Sequence, residues 1–384
     1  YIVNSGISTC TLLSLYEDFP TYAKTVVLNI PESNNKIPDL LDEINWNLSW
    51  MRTMQDPADG GVYHKLTTAK FEGFIKPNEA INTRYVVQKT TAAALDFAAV
   101  MAQASRVYKA YESEMPGFAD SCLVASKKAF EWAKKNPNVL YHQNELSNPT
   151  ITTGAYGDNT VSDEFFWATA ELFVTTGDLV YFNEMNLESK LNEDIKIPDW
   201  SHVSTLGYYT LLRNENQFSK NKKVSTILNQ LKFNFLAKAK TLSNARNKSA
   251  YGILMGNDIK DFAWGSNAIA ANQSMFLLKA YLLNKDPNLL DTAQANADYI
   301  LGQNATGYSF ITGFGEKSPK NPHHRPSFSD GIEEPIPGLL VGGPNPGQQD
   351  LSECNGITYP FSKPALSYMD IQCSFASNEI AINW

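Results

Sequence analysis

Apolar residues recur along this chain at helical rather than strand spacing. The clearest case follows Pro38 and Asp39, where Leu41, Ile44, Leu48 and Met51 fall three or four residues apart and so line one face of a helix. Proline and an acidic residue suit a first helical turn, and Asp56-Pro57 with Gly60-Gly61 end the run. The same spacing predicts helices over Ile7 to Tyr16, Phe118 to Lys134, Asp163 to Thr175, Trp200 to Arg213 and Val224 to Leu242. A further helix from Thr90 to Tyr108 places Ala94, Phe97, Ala98, Met101 and Tyr108 on one face. Ala268, Ala271, Met275, Leu278 and Leu282 predict another apolar stripe, with Asn288 to Leu301 as its partner and Gly302 as a C-terminal cap. Val62 to Thr68 reads as a short extended piece, but no set of neighbouring segments alternates as the strands of a sheet do. The pattern predicts an all-α chain with no fixed repeat and no internal domain boundary, so residues 1–384 read as one domain.

Gly307 to Asn345 breaks this pattern. It has neither helical nor strand periodicity, and Gly, Pro, Ser and Asn crowd it. A long irregular loop inside a compact domain is usually functional. This one also carries Phe310, Phe314, Phe328 and Leu339-Leu340-Val341, which a disordered linker would lack. His323, His324 and Arg325 stand between Pro322 and Pro326, whose fixed φ stiffens the backbone around them. Two imidazoles and a guanidinium suit a hydroxyl-rich or anionic ligand.

Composition narrows the partners. A hydrophobic share of 43% supports a sizeable core. No run of 18 apolar residues predicts a membrane span. The net charge of −8 comes without a basic stripe, which excludes nucleic acid as the expected partner. Cys10, Cys122, Cys354 and Cys373 form no Cys-x-x-Cys pair and no zinc spacing. They read as buried thiols, and no pairing follows from their positions. The start at Tyr1-Ile2-Val3 is no signal peptide, and both ends read as trimmed from a longer protein.

The loop GFGEKSPKNPHHRPS, followed by PGLLVGGPN, resembles the signature loop of glycoside hydrolase family 9, the endoglucanase and cellulase family. SNEIAINW at the end resembles its catalytic-acid motif, and TGAYGDNTVSDEFFWATAEL, FAWGSN and the opening YIVNSGIS also match family blocks. The likeness spans essentially the whole chain. It implies an (α/α)6 barrel that hydrolyses β-1,4-glucosidic bonds with inversion. Glycoside cleavage needs one carboxyl to protonate the leaving oxygen and another to activate water. The resemblance assigns the acid to Glu379, between Asn378 and Ile380; Phe375 departs from a family Tyr, and Asp370 is placed to order this loop. The base belongs to an Asp-Ala-Gly-Asp motif expected upstream of residue 1.

The likeness further assigns His323 and Arg325 to sugar binding, with His324 structural. Trp264 reads as a stacking residue of the cleft or as a core residue, and Tyr156 as a cleft candidate. Trp167 reads as core and His64 as a satisfied loop histidine. Asp158, Asp163 and Glu164 offer three carboxylates within seven residues. They read either as a structural calcium site or, for the latter two, as helix caps. No zinc and no organic cofactor is expected. The chain is thus expected to act on a β-glucan polysaccharide or oligosaccharide as a secreted or periplasmic monomer, with further modules in the full-length protein. Endo-acting hydrolysis leads; exo-acting glucosidase or glucosaminidase action and a non-catalytic carbohydrate-binding role stand beside it.

Overall fold

A computed structural model describes residues 1–145, 148–256 and 259–380. Helices dominate it: α1 (Ile2–Asp18), α2 (Pro20–Ala23), α3 (Asp39–Thr53), α4 (Thr91–Tyr108), α5 (Phe118–Lys135), α6 (Ser162–Thr176) and α7 (Leu179–Met185) come first. They are followed by α8 (Leu187–Lys190), α9 (Ser204–Arg213), α10 (Lys222–Ala245), α11 (Ser266–Asn284), α12 (Pro287–Ile300), α13 (Arg325–Ser329) and α14 (Phe375–Asn378). Among the described residues the only sheet pairs β1 (Leu66–Thr68) antiparallel with β2 (Arg84–Val86), with Leu66 opposite Val86. Three-residue strands are too short to show alternation in sequence. No described helix is long and apolar enough to cross a membrane.

Internal contacts group the chain into two compact units, where the sequence pattern had marked no boundary. Among the described residues, one holds 1–71 and 83–232; the other holds 72–82 and 233–380. The first unit is built around α4. Thr90 caps it by accepting a hydrogen bond from Ala93 N, and every residue of the helix except Arg106 is buried. The alanines that predicted one apolar face therefore serve all faces, because their small side chains let α1, α5 and α6 pack closely around the helix. In α3 the predicted stripe holds: Leu41, Ile44, Leu48 and Met51 are all buried.

In the second unit α11 packs on α12, but of the predicted stripe only Ala268 is fully buried. Leu278 is 37% exposed, and Ala271, Met275 and Leu282 are only half-buried. The buried face carries Ala270, Gln273, Ser274, Phe276, Leu277 and Ala280. Its polar members are paired across the helices: Asn296 Nδ2 donates to Gln273 Oε1 (2.9 Å) and Ser274 Oγ to the Ala293 carbonyl (3.0 Å). Paired polar groups are cheap to bury, so a polar face here is an inner face.

Cys354 and Cys373 are joined by a disulfide, while Cys10 and Cys122 are buried thiols. The bridge corrects the reading of four free thiols; a spacing of 19 residues does not announce a pair.

Candidate active site

Three blocks of the second unit that are far apart in sequence meet at Glu379. The irregular loop is anchored by its apolar residues: Phe310 and Val341 are buried in one cluster with Phe262, Tyr368 and Ile380, while Phe314 and Phe328 remain exposed. Single β-bridges then fasten the loop to the acid motif, His323 to Glu379 and Val341 to Ile380. His323 N donates to the Asn378 carbonyl (2.8 Å), Gly342 N to the Glu379 carbonyl (2.7 Å) and Gly343 N to the Ser377 carbonyl (2.8 Å). Gly343 has φ +93°, and a Cβ there would lie 2.5 Å from the Asn267 side chain. Only glycine meets both demands. Asn267 belongs to the FAWGSN block, and its Nδ2 donates to the Val341 carbonyl (2.9 Å).

Glu379 is half-buried. Desolvation pushes its pKa above the ordinary carboxylate value, and this outweighs the hydrogen bond from Trp264 and the nearby positive charge of Arg325, which both favour the ionised form. Trp264 Nε1 donates to Glu379 Oε2 at 3.1 Å. The indole is 39% exposed and leans on Phe375, with ring centroids 5.3 Å apart. It is therefore a surface aromatic rather than a core one.

His323 is held from behind. Its Nδ1 lies 2.7 Å from the Gln372 carbonyl; a carbonyl only accepts, so Nδ1 carries the hydrogen. Burial lowers the ring's pKa, so the neutral tautomer presents Nε2 as an acceptor. Phe74 stands edge-on to His323 (5.0 Å, 87°) and beneath the Arg325 guanidinium (5.6 Å), whose Nε donates to the Glu72 carbonyl (2.9 Å). Sequence reading missed Phe74, because the 72–82 stretch carries no periodic or motif signal. His324 turns away, with Nδ1 2.9 Å from Ser327 Oγ; that oxygen accepts from Ile336 N. Asp370 accepts from Lys320 N, Asn321 N and Asn378 Nδ2, and so orders the acid loop. Asp350 adds a second brace: it accepts from Ala376 N and from Tyr359 OH, which also reaches Ser377 Oγ. The acid motif continues into 381–384, outside the described residues.

Tyr156 and the carboxylates lie in the first unit. Tyr156 sits at φ +50°, with its ring 5.2 Å from those of Tyr1 and Trp200. Trp167 is wholly buried, as expected of a core residue. His64 is buried and satisfied, its Nδ1 near Thr90 Oγ1 (3.1 Å) and its Nε2 near the Ala155 carbonyl (3.0 Å). Asp158 Oδ1 accepts from Thr160 N (2.8 Å), and Asp163 Oδ2 accepts from Val203 N (2.9 Å). Asp163 and Glu164 both lie in the first turn of α6, whose N-cap is Val161. Glu164 is buried; desolvation first, then the charges of Asp96, Asp163 and Asp158, raise its pKa. Glu164 Oε2, Asp158 Oδ2 and both oxygens of the fully buried Asp96 lack protein partners. That orphaned oxygen surface suits a hard cation. Among the described residues no three His, Cys, Asp or Glu side chains form a ready metal cluster. A calcium ion would therefore need backbone carbonyls or water beside these carboxylates.

The whole chain, residues 1–384, matches the family model described as glycosyl hydrolase family 9. The chain belongs to that family. The xyloglucan-specific endo-beta-1,4-glucanase BoGH9A of Bacteroides ovatus is 49% identical over 388 residues, covering all of this chain and 65% of that protein. Endoglucanase D of Acetivibrio thermocellus is 34% identical over 388 residues, covering all of this chain and 57% of its own length. The chain thus spans about two thirds or less of these curated relatives. Among solved structures, Bacteroides ovatus GH9 superposes with a TM-score of 0.92 at 47% identity, covering all of this chain and 68% of that one. AaCel9A in complex with cellobiose-like isofagomine gives 0.87 at 31% identity, covering all of this chain and 70% of that one. The all-α fold of this family 9 chain is accordingly of the (α/α)6 barrel class.

Proposed function

We propose that this family 9 chain carries the acid half of an inverting, endo-acting β-1,4-glucanase, with Glu379 as the general acid. The observation that carries the reading is a carboxyl raised in pKa by burial and pinned beside Trp264, His323 and Arg325. A carboxyl so placed keeps its proton to higher pH than an exposed one and is fitted to give it to a leaving oxygen. His323 Nε2 accepts a hydrogen bond from a sugar hydroxyl, while Arg325 donates one. The indole face of Trp264 offers an apolar platform to a sugar ring. The second carboxylate, which activates water, is assigned to the Asp motif upstream of residue 1. For inversion it must lie about 6.5–9.5 Å from Glu379 to leave room for water. The substrate class is a β-1,4-linked glucan, and xyloglucan, the polymer named for the Bacteroides ovatus relative, belongs in the first panel tested. Action on such a polymer carries with it a location outside the cytoplasm.

Full-length protein incubated with soluble β-glucan should release a spread of oligosaccharides early, with a steep fall in viscosity and the α-anomer appearing first by NMR. Release of mono- or disaccharide from one end only would show exo action. Retention of glucan without cleavage would show a binding domain.

We further propose a structural calcium ion held by Asp158, Asp163 and Glu164. Bound only to the native state, it would stabilise the fold by about 2.7 kcal/mol at a hundredfold excess over Kd. Chelation should lower Tm, and calcium, not magnesium, should restore it. A melt unchanged after confirmed metal removal would overturn the site.

A further inference from the structure

We propose that Trp264 acts on the acid as well as on the sugar: its indole N–H fixes which oxygen of Glu379 carries the catalytic proton. The inference rests on the reading of Glu379 as general acid. An indole nitrogen donates and never accepts. At 3.1 Å from Oε2, it obliges that oxygen to present a lone pair. In a carboxylic acid the carbonyl oxygen is the better acceptor, so the hydrogen resides on Oε1. Neither partner is loose. Glu379 is pinned at its backbone by Gly342 N and by the bridge to His323. The Trp264 ring leans on Phe375, and three residues on, Asn267 N donates to the Gly342 carbonyl (2.9 Å) and Nδ2 to the Val341 carbonyl. The same backbone segment, 341–343, thus bonds both Glu379 and the start of the helix that follows Trp264.

The arrangement assigns the proton's path. As the glycosidic C–O bond breaks, its electron pair goes to the leaving oxygen, which takes the hydrogen from Oε1. Water adds at the carbon and gives its own proton to the base. The Oε1–H electrons stay on Glu379, and the new negative charge is shared with Oε2, where the indole N–H already points. Trp264 is therefore a positioning residue: it arms one oxygen before the step and steadies the carboxylate's charge after it.

The test replaces Trp264 in the full-length protein with β-(3-benzothienyl)alanine, which keeps the ring shape and lacks the N–H. Trp264→Phe serves as a second variant. The pH dependence of kcat/KM is measured on soluble β-glucan and on an aryl cellobioside whose leaving group needs no protonation. Losing a donor to the carboxylate disfavours its ionised form, so the alkaline limb should move to higher pH by about half to one unit. Turnover of glucan should fall several-fold, and that of the aryl substrate much less. A limb that stays put, or moves to lower pH as simple entry of water at Glu379 would dictate, overturns the proposal. Glu379→Gln in the same assays separates the two failures. If it keeps full activity, the acid lies elsewhere and the role of Trp264 falls with it. If it is inactive while the isostere leaves the limb unmoved, only the role of Trp264 falls.

Discussion

Glu379→Gln should cut turnover of unactivated β-glucan by about two to four orders of magnitude, the usual scale of general acid catalysis. The change removes the transferable proton and little else. An amide oxygen still accepts from Trp264 Nε1, so the 3.1 Å contact can persist. The backbone bonds from Gly342 and to His323 do not involve the side chain. Cello-oligosaccharide affinity, measured calorimetrically, should therefore stay within a few-fold of wild type. An aryl glycoside with a good leaving group should lose far less than glucan, since its departure needs no proton. Near-full glucan turnover in this variant would remove Glu379 from the role. Loss of binding together with turnover would make it a ligand-gripping or structural residue.

Arg106→Ala should cost about 3–5 kcal/mol of stability in the first unit, the scale for stripping one partner from a buried ion pair. Arg106 is the one residue of α4 that is not buried outright, yet only 15% of its side chain is exposed, and it bonds Glu17 (2.7 Å) and Glu171 (2.9 Å). Nη1 also donates to Thr175 Oγ1 (2.6 Å). Arg213 completes the group, binding Glu17 and Asp18 at 2.7 Å each. Burial works to raise the pKa of Glu17, but the two guanidiniums outweigh it and hold the carboxyl at about 2. A carboxyl depressed in the fold stabilises fully above its unfolded value, 4.5. That contribution drains away as pH falls from about 4.5 to about 2. Without Arg106, Glu171 is left buried with only Thr210 as a partner. The urea midpoint at neutral pH should fall accordingly. Arg106→Met combined with Glu171→Leu should recover part of the loss, because no charge is stranded. A cost below about 1 kcal/mol for Arg106→Ala would mean that water already relieves these carboxylates.

What was legible in the sequence follows from what each residue had to satisfy. The α3 stripe was readable because Leu41, Ile44, Leu48 and Met51 meet an apolar neighbour. The face of α11 was not, because Gln273 and Ser274 are buried on bonds to another helix that spacing cannot show. His323 and Arg325 stood out by their setting between prolines. Their supports did not: single β-bridges leave no alternation, and Phe74 sits in an unpatterned stretch. Glu379 alone would pass for a surface glutamate near a chain end. Burial and the Trp264 contact, neither visible in SNEI, distinguish it. The disulfide was equally hidden, since sulfur pairing is decided by distance in space.

The short stretch 72–82 packs with residues made long after it. Arg325 meets the Glu72 carbonyl across 253 positions of sequence. At a translation rate of roughly 5–20 residues per second, about 12–50 seconds separate the appearance of these two residues from the ribosome. During that interval Phe74 has no ring to meet and Glu72 no guanidinium, while the helices on either side already have their partners. The setting of His323 and Arg325 against Phe74 and Glu72 thus forms late in biosynthesis. Slowed translation or an early stop would leave a nascent chain whose first unit is whole and whose aromatic stretch is bare, a target for chaperones and proteases before any catalysis is possible.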